Sequence, residues 1–381
     1  MSLLKLGAVN RVHIHYAIQA FASAAGGIFI LAYLLKAGVP VPVALMFQAG
    51  VVALRFLLRP LTLPLAKRFG VKPLLMAGAI IAGIDYPLLA LVDGPGPTLW
   101  LFCAFSSIGY LFYWLCYHAY FAALGEADDR GGQIGVREAA VALVGIVAPL
   151  LGAWGLTTLG STPTFWLVGI LQMLSVIPLI GLPNVPVKGK VDGPTGATRM
   201  ALGLMVADGV FASAYHYIWL IALFVALSES YVAFGAAWAL AALVGAVSGV
   251  VLGRRVDMGQ GRRMTWIAYG AAAIVVAMRA GSLDLPWLAV AANAAGSFLV
   301  AIVSPVLMTP VYNMAKSSPC VMRFHIATEG AWDVGCFLGC VSAAAMAWAG
   351  LSLGAPILLG LPAAAALVVM LHRYYGPPRP G

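Results

Sequence analysis

The chain has 381 residues, 62% of them hydrophobic and only 9% charged, whereas a soluble domain is near half apolar and about a quarter charged. Its 22 Lys and Arg with 13 Asp and Glu cannot coat a soluble particle of this size, which excludes a soluble fold. A mean hydropathy of +0.96, spread over the whole length, places nearly all of the chain in a bilayer, and the net charge of +9 reads as the basic excess of cytoplasmic loops, not as a nucleic-acid surface.

A bilayer core of about 30 Å takes roughly 20 apolar residues per helix. Cutting the sequence at Gly/Pro clusters and charges predicts spans at 13–36, 41–66, 72–92, 97–122, 133–157, 163–183, 200–226, 230–253, 264–281, 285–315, 323–349 and 352–373. The runs are continuous and rich in Ala, Leu and Gly, without the alternation of a β-barrel. The short stretch ahead of them, Met1 to Asn10, reads as a cytoplasmic lead and not as a cleaved signal. With that end inside, the even connections hold Lys67, Arg68, Lys72, Arg130, Lys188, Lys190, Arg199, Arg254, Arg255, Arg262, Arg263, Lys316 and Arg323, and the tail adds Arg373 and Arg379. The opposite side keeps Lys36 and Arg279, so both termini are expected in the cytoplasm. The cysteines Cys103, Cys116, Cys320, Cys336 and Cys340 form no Cys-x-x-Cys pair, and neither disulfides, nor a metal site, nor a cofactor is expected.

Charges inside spans are expensive, so each needs a partner or a watery cavity. In span one His13 and His15 stand two apart and point to different faces, which argues against joint metal binding. In span two Arg55 lies about 16 Å deep by helical rise, Arg59 can snorkel to the interface, and Asp85 in span three lies at a matching depth; Arg55 and Asp85 are expected to form a structural ion pair. Span four carries Tyr110, Tyr113, Trp114, Tyr117 and Phe121 at helical spacing. Span five brings Glu138 beside Arg137. In span seven Asp208, Ala212, Tyr215 and Trp219 share one face. Span ten offers Asn293, Ser297 and Ser304, which suit helix packing as well as a polar lining. On span eleven Glu329 and Asp333 stand four apart, where two carboxylates can share a proton or bind the Arg-rich loops.

The chain repeats itself near half its length. Phe21-Ala22-Ser23-Ala24 recurs as Phe211-Ala212-Ser213-Ala214, the basic loop from Leu65 to Gly70 faces Arg255 to Gly259, and Glu138 faces Glu329. Twelve spans as six plus six, both ends inside, a central linker and basic loops after spans two and eight together resemble the major facilitator superfamily. The most specific mark is that family's loop Gly-x-x-x-Asp-Arg-x-Gly-Arg-Lys/Arg, which Gly253 to Arg263 matches with one extra residue and Arg68 to Lys72 matches in part. Ala148 to Ala153 is similar to the Gly-Pro-x-x-Gly-Gly element of antiporter members, and the arginine that the family places in span four has no counterpart between Leu99 and Gly125.

The resemblance implies an all-α polytopic membrane protein of twelve transmembrane helices in two pseudo-symmetric six-helix bundles, residues 1–182 and 200–381, joined by a cytoplasmic linker over 183–199. It implies a substrate cavity lined from spans one, four, seven and ten, and so by Tyr110, Tyr113, Trp114, Tyr215, Trp219, Asn293 and Ser297. Asp208, Glu329, Asp333 and Glu138 are the candidates for proton coupling; Asp257, Arg68, Arg262 and Arg263 would latch the cytoplasmic gate, a role also open to Asp208 and to the acids of spans five and eleven. The expected function is secondary active transport of a small organic solute across the cytoplasmic membrane by alternating access, with a lean to export. The expected partners are that solute and the lipid bilayer, with no nucleic acid, and the expected state is a monomer. A lipid or amphiphile flippase, or a sensor or scaffold on a transporter fold, is the alternative. No Walker loop, dinucleotide fingerprint, nucleophile elbow or His-Glu-x-x-His motif points to an enzyme.

Overall fold

A computed structural model of the protein describes residues 7–124, 130–186, 196–252 and 261–376, with the side chains of all of these except 122–123, 130–140, 249–252, 301 and 322. Among the described residues the chain is helical and contains no strand. Helices α1 (Ala8–Lys36), α2 (Val41–Phe69), α3 (Val71–Ala90), α4 (Pro97–Leu124), α5 (Arg130–Thr158), α6 (Ser161–Leu179), α7 (Arg199–Ala226), α8 (Tyr231–Leu252), α10 (Pro286–Lys316), α11 (Val321–Trp348) and α12 (Gly354–Tyr374) each contain a stretch long and apolar enough to cross a membrane. Helix α9 (Gly261–Ala280) has 20 residues, enough for about 30 Å, but carries Arg262, Arg263 and Arg279 and is less apolar than the other eleven.

Breaks in the helices sit where local chemistry dictates. Gly26 and Gly27 interrupt α1 with a 3-10 turn, and a Cβ at Gly26 would lie 2.7 Å from both the Tyr86 ring of α3 and Val168 of α6. Pro60 tightens α2 over Arg59–Leu61. In α7 the turn Ser213–Ile218 widens to a π-helix. Large side chains on the outside are apolar, with Trp100, Trp166, Trp266, Trp287 and Trp348 near helix ends, the places a membrane interface favours for indole.

Contacts divide the chain into two compact units. One comprises Met1–Pro40, Leu57–Lys190 and Ser230–Ala239; the other comprises Val41–Phe56, Val191–Glu229 and Leu240–Gly381. In the first, α3 packs on α4 and α6, and α1 packs on α5 and α6. In the second, α9 packs on α10 and α12, and α7 packs on α11 and α12. Every pairing recurs six helices later, which is the structural form of the repeat in the sequence. Small residues make these approaches possible: a Cβ at Gly152 would strike the Ala25 carbonyl between α5 and α1, and Cβ atoms at Gly209 and Gly335 would strike the Trp332 and Val206 carbonyls between α7 and α11.

The basic stretch after α2 is fastened to the end of α6. Lys72 Nζ donates to the Leu182 carbonyl at 2.6 Å, Asn184 Nδ2 donates to the Phe69 carbonyl at 2.9 Å, and Tyr120 donates to the Pro183 carbonyl at 2.8 Å. On α1, Arg11 Nε donates to the Pro178 carbonyl at 2.8 Å. Cations at a helix C-terminus meet carbonyls that have no intrahelical partner.

Candidate functional site

The second unit holds a cavity of about 310 Å³ between α7, α9 and α10. Its wall is mostly apolar, with Phe211, Ala272, Leu299, Val303, Leu307 and Met308, and its polar groups are Asp208, Tyr215, His216 and Ser304. That combination, an apolar concavity with few polar groups, is the usual form of a small-molecule site. The α7 wall contains the π turn, and such widened turns often mark functional sites.

Behind this wall lies a cluster that the sequence announces only in part. Tyr215, Trp219 and Asn293, each expected to line a cavity, lie close together: Trp219 Nε1 donates to Asn293 Oδ1 at 2.9 Å, and the Tyr215 hydroxyl donates to the Gly296 carbonyl at 2.7 Å. Trp219 and Asn293 are buried, so of these three only Tyr215 reaches the cavity. Ser297, one turn from Asn293, lies beside Gly245 of α8. The sequence counts Arg279 with the non-cytoplasmic end of its span; the structure buries it to 3% exposure. Its guanidinium carbon sits 4.0 Å from the Tyr215 ring centroid and 4.6 Å from that of Trp219, and Nη1 donates to the Tyr215 carbonyl at 2.5 Å. The available signal was its place in the last turn of an otherwise uncharged run, Met264 to Ala280.

A second network joins α2, α7 and α11. Arg55 Nε donates to Asp333 Oδ1 at 2.8 Å, and Nη2 contacts the same oxygen in an ion pair. The Arg55 guanidinium also lies 5.4 Å from the Trp332 ring centroid, while Trp332 Nε1 donates to Asp208 Oδ2 at 2.9 Å. The expected pair of Arg55 with Asp85 is therefore corrected: residues 41–56 of α2 pack in the second unit with α11, whereas Asp85 faces Ser106 and Cys103 on α4. Asp85 is 4% exposed and its Oδ1 has no hydrogen-bond partner among the described residues. Arg59, expected to reach the interface, is buried as well. Asp333 of the Glu329 and Asp333 pair is engaged by Arg55, and Glu329 sits close to His325 one turn before it.

In the first unit, the aromatic stripe of α4 packs on α1. Tyr113 is 0% exposed and its ring lies 5.7 Å from His15, while Tyr117 stacks on Tyr16 at 4.7 Å. His15 is held by a hydrogen bond from Nδ1 to the Ser175 carbonyl at 2.7 Å. Tyr110 is half-buried and Trp114 partly exposed. Tyr113 is thus a core residue here, because α1 covers the face that helical spacing alone leaves open. Among the gate candidates, Arg68 is exposed over the Phe69 ring, and Arg262 and Arg263 are exposed at the start of α9. Asp257 and the Glu138 side chain lie outside the described residues. No three His, Cys, Asp or Glu gather into a metal-binding group among the described residues.

No curated protein sequence matches this chain significantly. Its fold is similar to that of a bacterial homologue of the iron transporter ferroportin in an inward-facing state, with a TM-score of 0.69 at 13% identity over 98% of this chain and 99% of the other. An auto-inhibited POT family peptide transporter gives a TM-score of 0.63 at 15% identity over 97% and 99%. The human organic anion transporter MFSD10 (TETRAN) gives a TM-score of 0.64 at 16% identity over 95% and 97%. At such identities the likeness speaks for the fold. The sequence profile of the Major Facilitator Superfamily matches residues 14–322, and with these helices and their repeated pairing it shows that the chain belongs to that superfamily, as an integral multi-pass membrane transporter.

Proposed function

We propose that this transporter is a secondary carrier that moves a small organic solute by alternating access, with the cavity between α7, α9 and α10 as part of its binding site. In this reading the chain crosses the cytoplasmic membrane twelve times, α9 included, with both termini inside. The observation that carries it is the cavity itself: an apolar chamber between helices with an acid, a phenol and an imidazole on its wall. Asp208 is the coupling group, because among the described residues it is the acid that both borders the cavity and, through Trp332, leads to the Arg55 and Asp333 pair. A proton arriving at Asp208 removes the charge that holds the Trp332 N–H, and the Arg55 pair next to that indole then has a changed neighbour. The lean to export rests on Ala148 to Ala153, where Pro149 lies within α5 and Gly152 meets α1.

The test uses purified protein in proteoliposomes, with substrate chosen by thermal stabilisation. Asp208→Asn keeps the acceptor for Trp332 and deletes the charge. It should lower transport driven by a pH gradient by about a hundredfold, the size of a lost proton-transfer group, and leave solute exchange without net proton movement intact. Gradient-driven transport equal to the parent would remove Asp208 from coupling.

A further inference from the structure

Arg279 is a buried cation without an acidic partner among the described residues, and its Nε has no hydrogen-bond acceptor. Arginines buried this deeply are nearly always paired. The bland account is that the C-terminal end of α9 and the faces of Tyr215 and Trp219 suffice to hold the charge. These contacts reduce its cost but leave it unneutralised, and they aim it at one place: Tyr215 has Arg279 at its ring face and the cavity beside it.

We propose that the cavity between α7, α9 and α10 receives an organic monoanion, attracted by Arg279 through the Tyr215 wall and contacted by Tyr215 and His216. The inference rests on the carrier reading and adds the class of solute. A carboxylate placed beyond the Tyr215 ring would stand roughly 8 Å from the guanidinium, where an effective dielectric of about 20 makes the attraction worth about thirtyfold in affinity. The apolar and aromatic wall formed by Phe211, Leu299 and Leu307 suits a flat hydrocarbon body. Asp208 lies two turns along α7 from Tyr215, about 10 Å by helical rise, and repels a second acid at that end. The site therefore takes one negative charge.

The experiment compares three solutes of one shape, benzoate, benzamide and benzylamine, by thermal stabilisation of the purified full-length protein in detergent. Benzoate should bind about tenfold more tightly than benzamide or more, phthalate should bind less well than benzoate, Arg279→Gln should erase the benzoate preference, and Arg279→Lys should keep most of it. The comparison within the parent protein stands even if one variant folds poorly. Absence of a benzoate preference in the parent, or a preference that survives in folded Arg279→Gln, overturns the proposal. Counterflow of labelled benzoate in proteoliposomes separates the two readings: binding without movement sinks the carrier and leaves the anion site standing, whereas movement of benzamide or benzylamine with no benzoate preference does the reverse.

Discussion

At the scale of single residues, Arg55 and Asp333 form an ion pair that is shielded from water, with the Asp333 side chain fully covered and that of Arg55 15% exposed. Removing one member takes this ion pair away from the other, and breaking such a buried pair costs about 3–5 kcal/mol. Arg55→Gln and Asp333→Asn are each expected to lower the melting temperature in detergent, and the double variant should recover part of the loss, giving a positive coupling in a double-mutant cycle. Asp85→Asn should leave the melting temperature unchanged or raise it, since no cation among the described residues depends on that charge. A loss with Asp85→Asn that matches Asp333→Asn would restore the pairing expected from sequence. Trp332→Phe keeps a ring beside Arg55 and deletes the donor to Asp208, so a cost of roughly 1–2 kcal/mol is expected. The residue scale is also where the sequence was least legible. Arg55 and Asp333 stand 278 positions apart, and depth along a helix could match Arg55 with Asp85 equally well; only packing selects the partner. Helical spacing gathers Asp208 and Tyr215 on the face that borders the cavity but sets Trp219 with them, although it is buried, whereas the burial of Arg279 has no signal in the spacing because a charge near a helix end has no periodicity to betray it.

At the scale of elements, the α7 and α11 pair depends on backbone contact. An added methyl at Gly335 collides with the Val206 carbonyl, and overpacking of this kind costs about 1–3 kcal/mol. Gly335→Ala is expected to reduce the yield of monodisperse protein and lower its melting temperature. Gly270→Ala on α9, where nothing lies within 4 Å of an added Cβ, should be neutral or gain up to about 1 kcal/mol in helix propensity. Equal behaviour of the two variants would mean that close approach is not what holds α7 to α11. Helix positions were legible because length, hydropathy and Gly/Pro punctuation carry them; the predicted 200–226 became Arg199–Ala226. The π turn was not, because Ser213 to Ile218 contains no Pro or Gly and its widening depends on neighbours. The α4 stripe shows the same limit: aromatic spacing defines a face, and it took α1 to show that Tyr113 is covered.

At the scale of the whole molecule, the repeated helix pairing was readable, since duplication leaves matched peptides such as Phe21 to Ala24 and Phe211 to Ala214. The twelve-span topology predicts that reporters fused after Gly70, Gly132, Lys190, Gly261 and Ser318 report cytoplasm and those after Pro40, Gly94 and Ser282 the opposite side. The pair at Gly261 and Ser282 decides α9, because equal signals there would make the count eleven.

The composition of α9 bears on how the protein is made. A nascent helix enters lipid by itself only if its own side chains favour that transfer, and arginines oppose it. Arg262 and Arg263 can stay at the headgroups, but Arg279 is lodged beside Tyr215 and Trp219, so its stable position exists only after those rings are in place. Helix α7 is synthesised earlier and α10, which supplies Asn293 and Gly296 to the same cluster, later. In the twelve-span reading the ninth helix is therefore expected to insert only against the rings of α7, already made, and an insertion assay of α9 with and without α7 checks this.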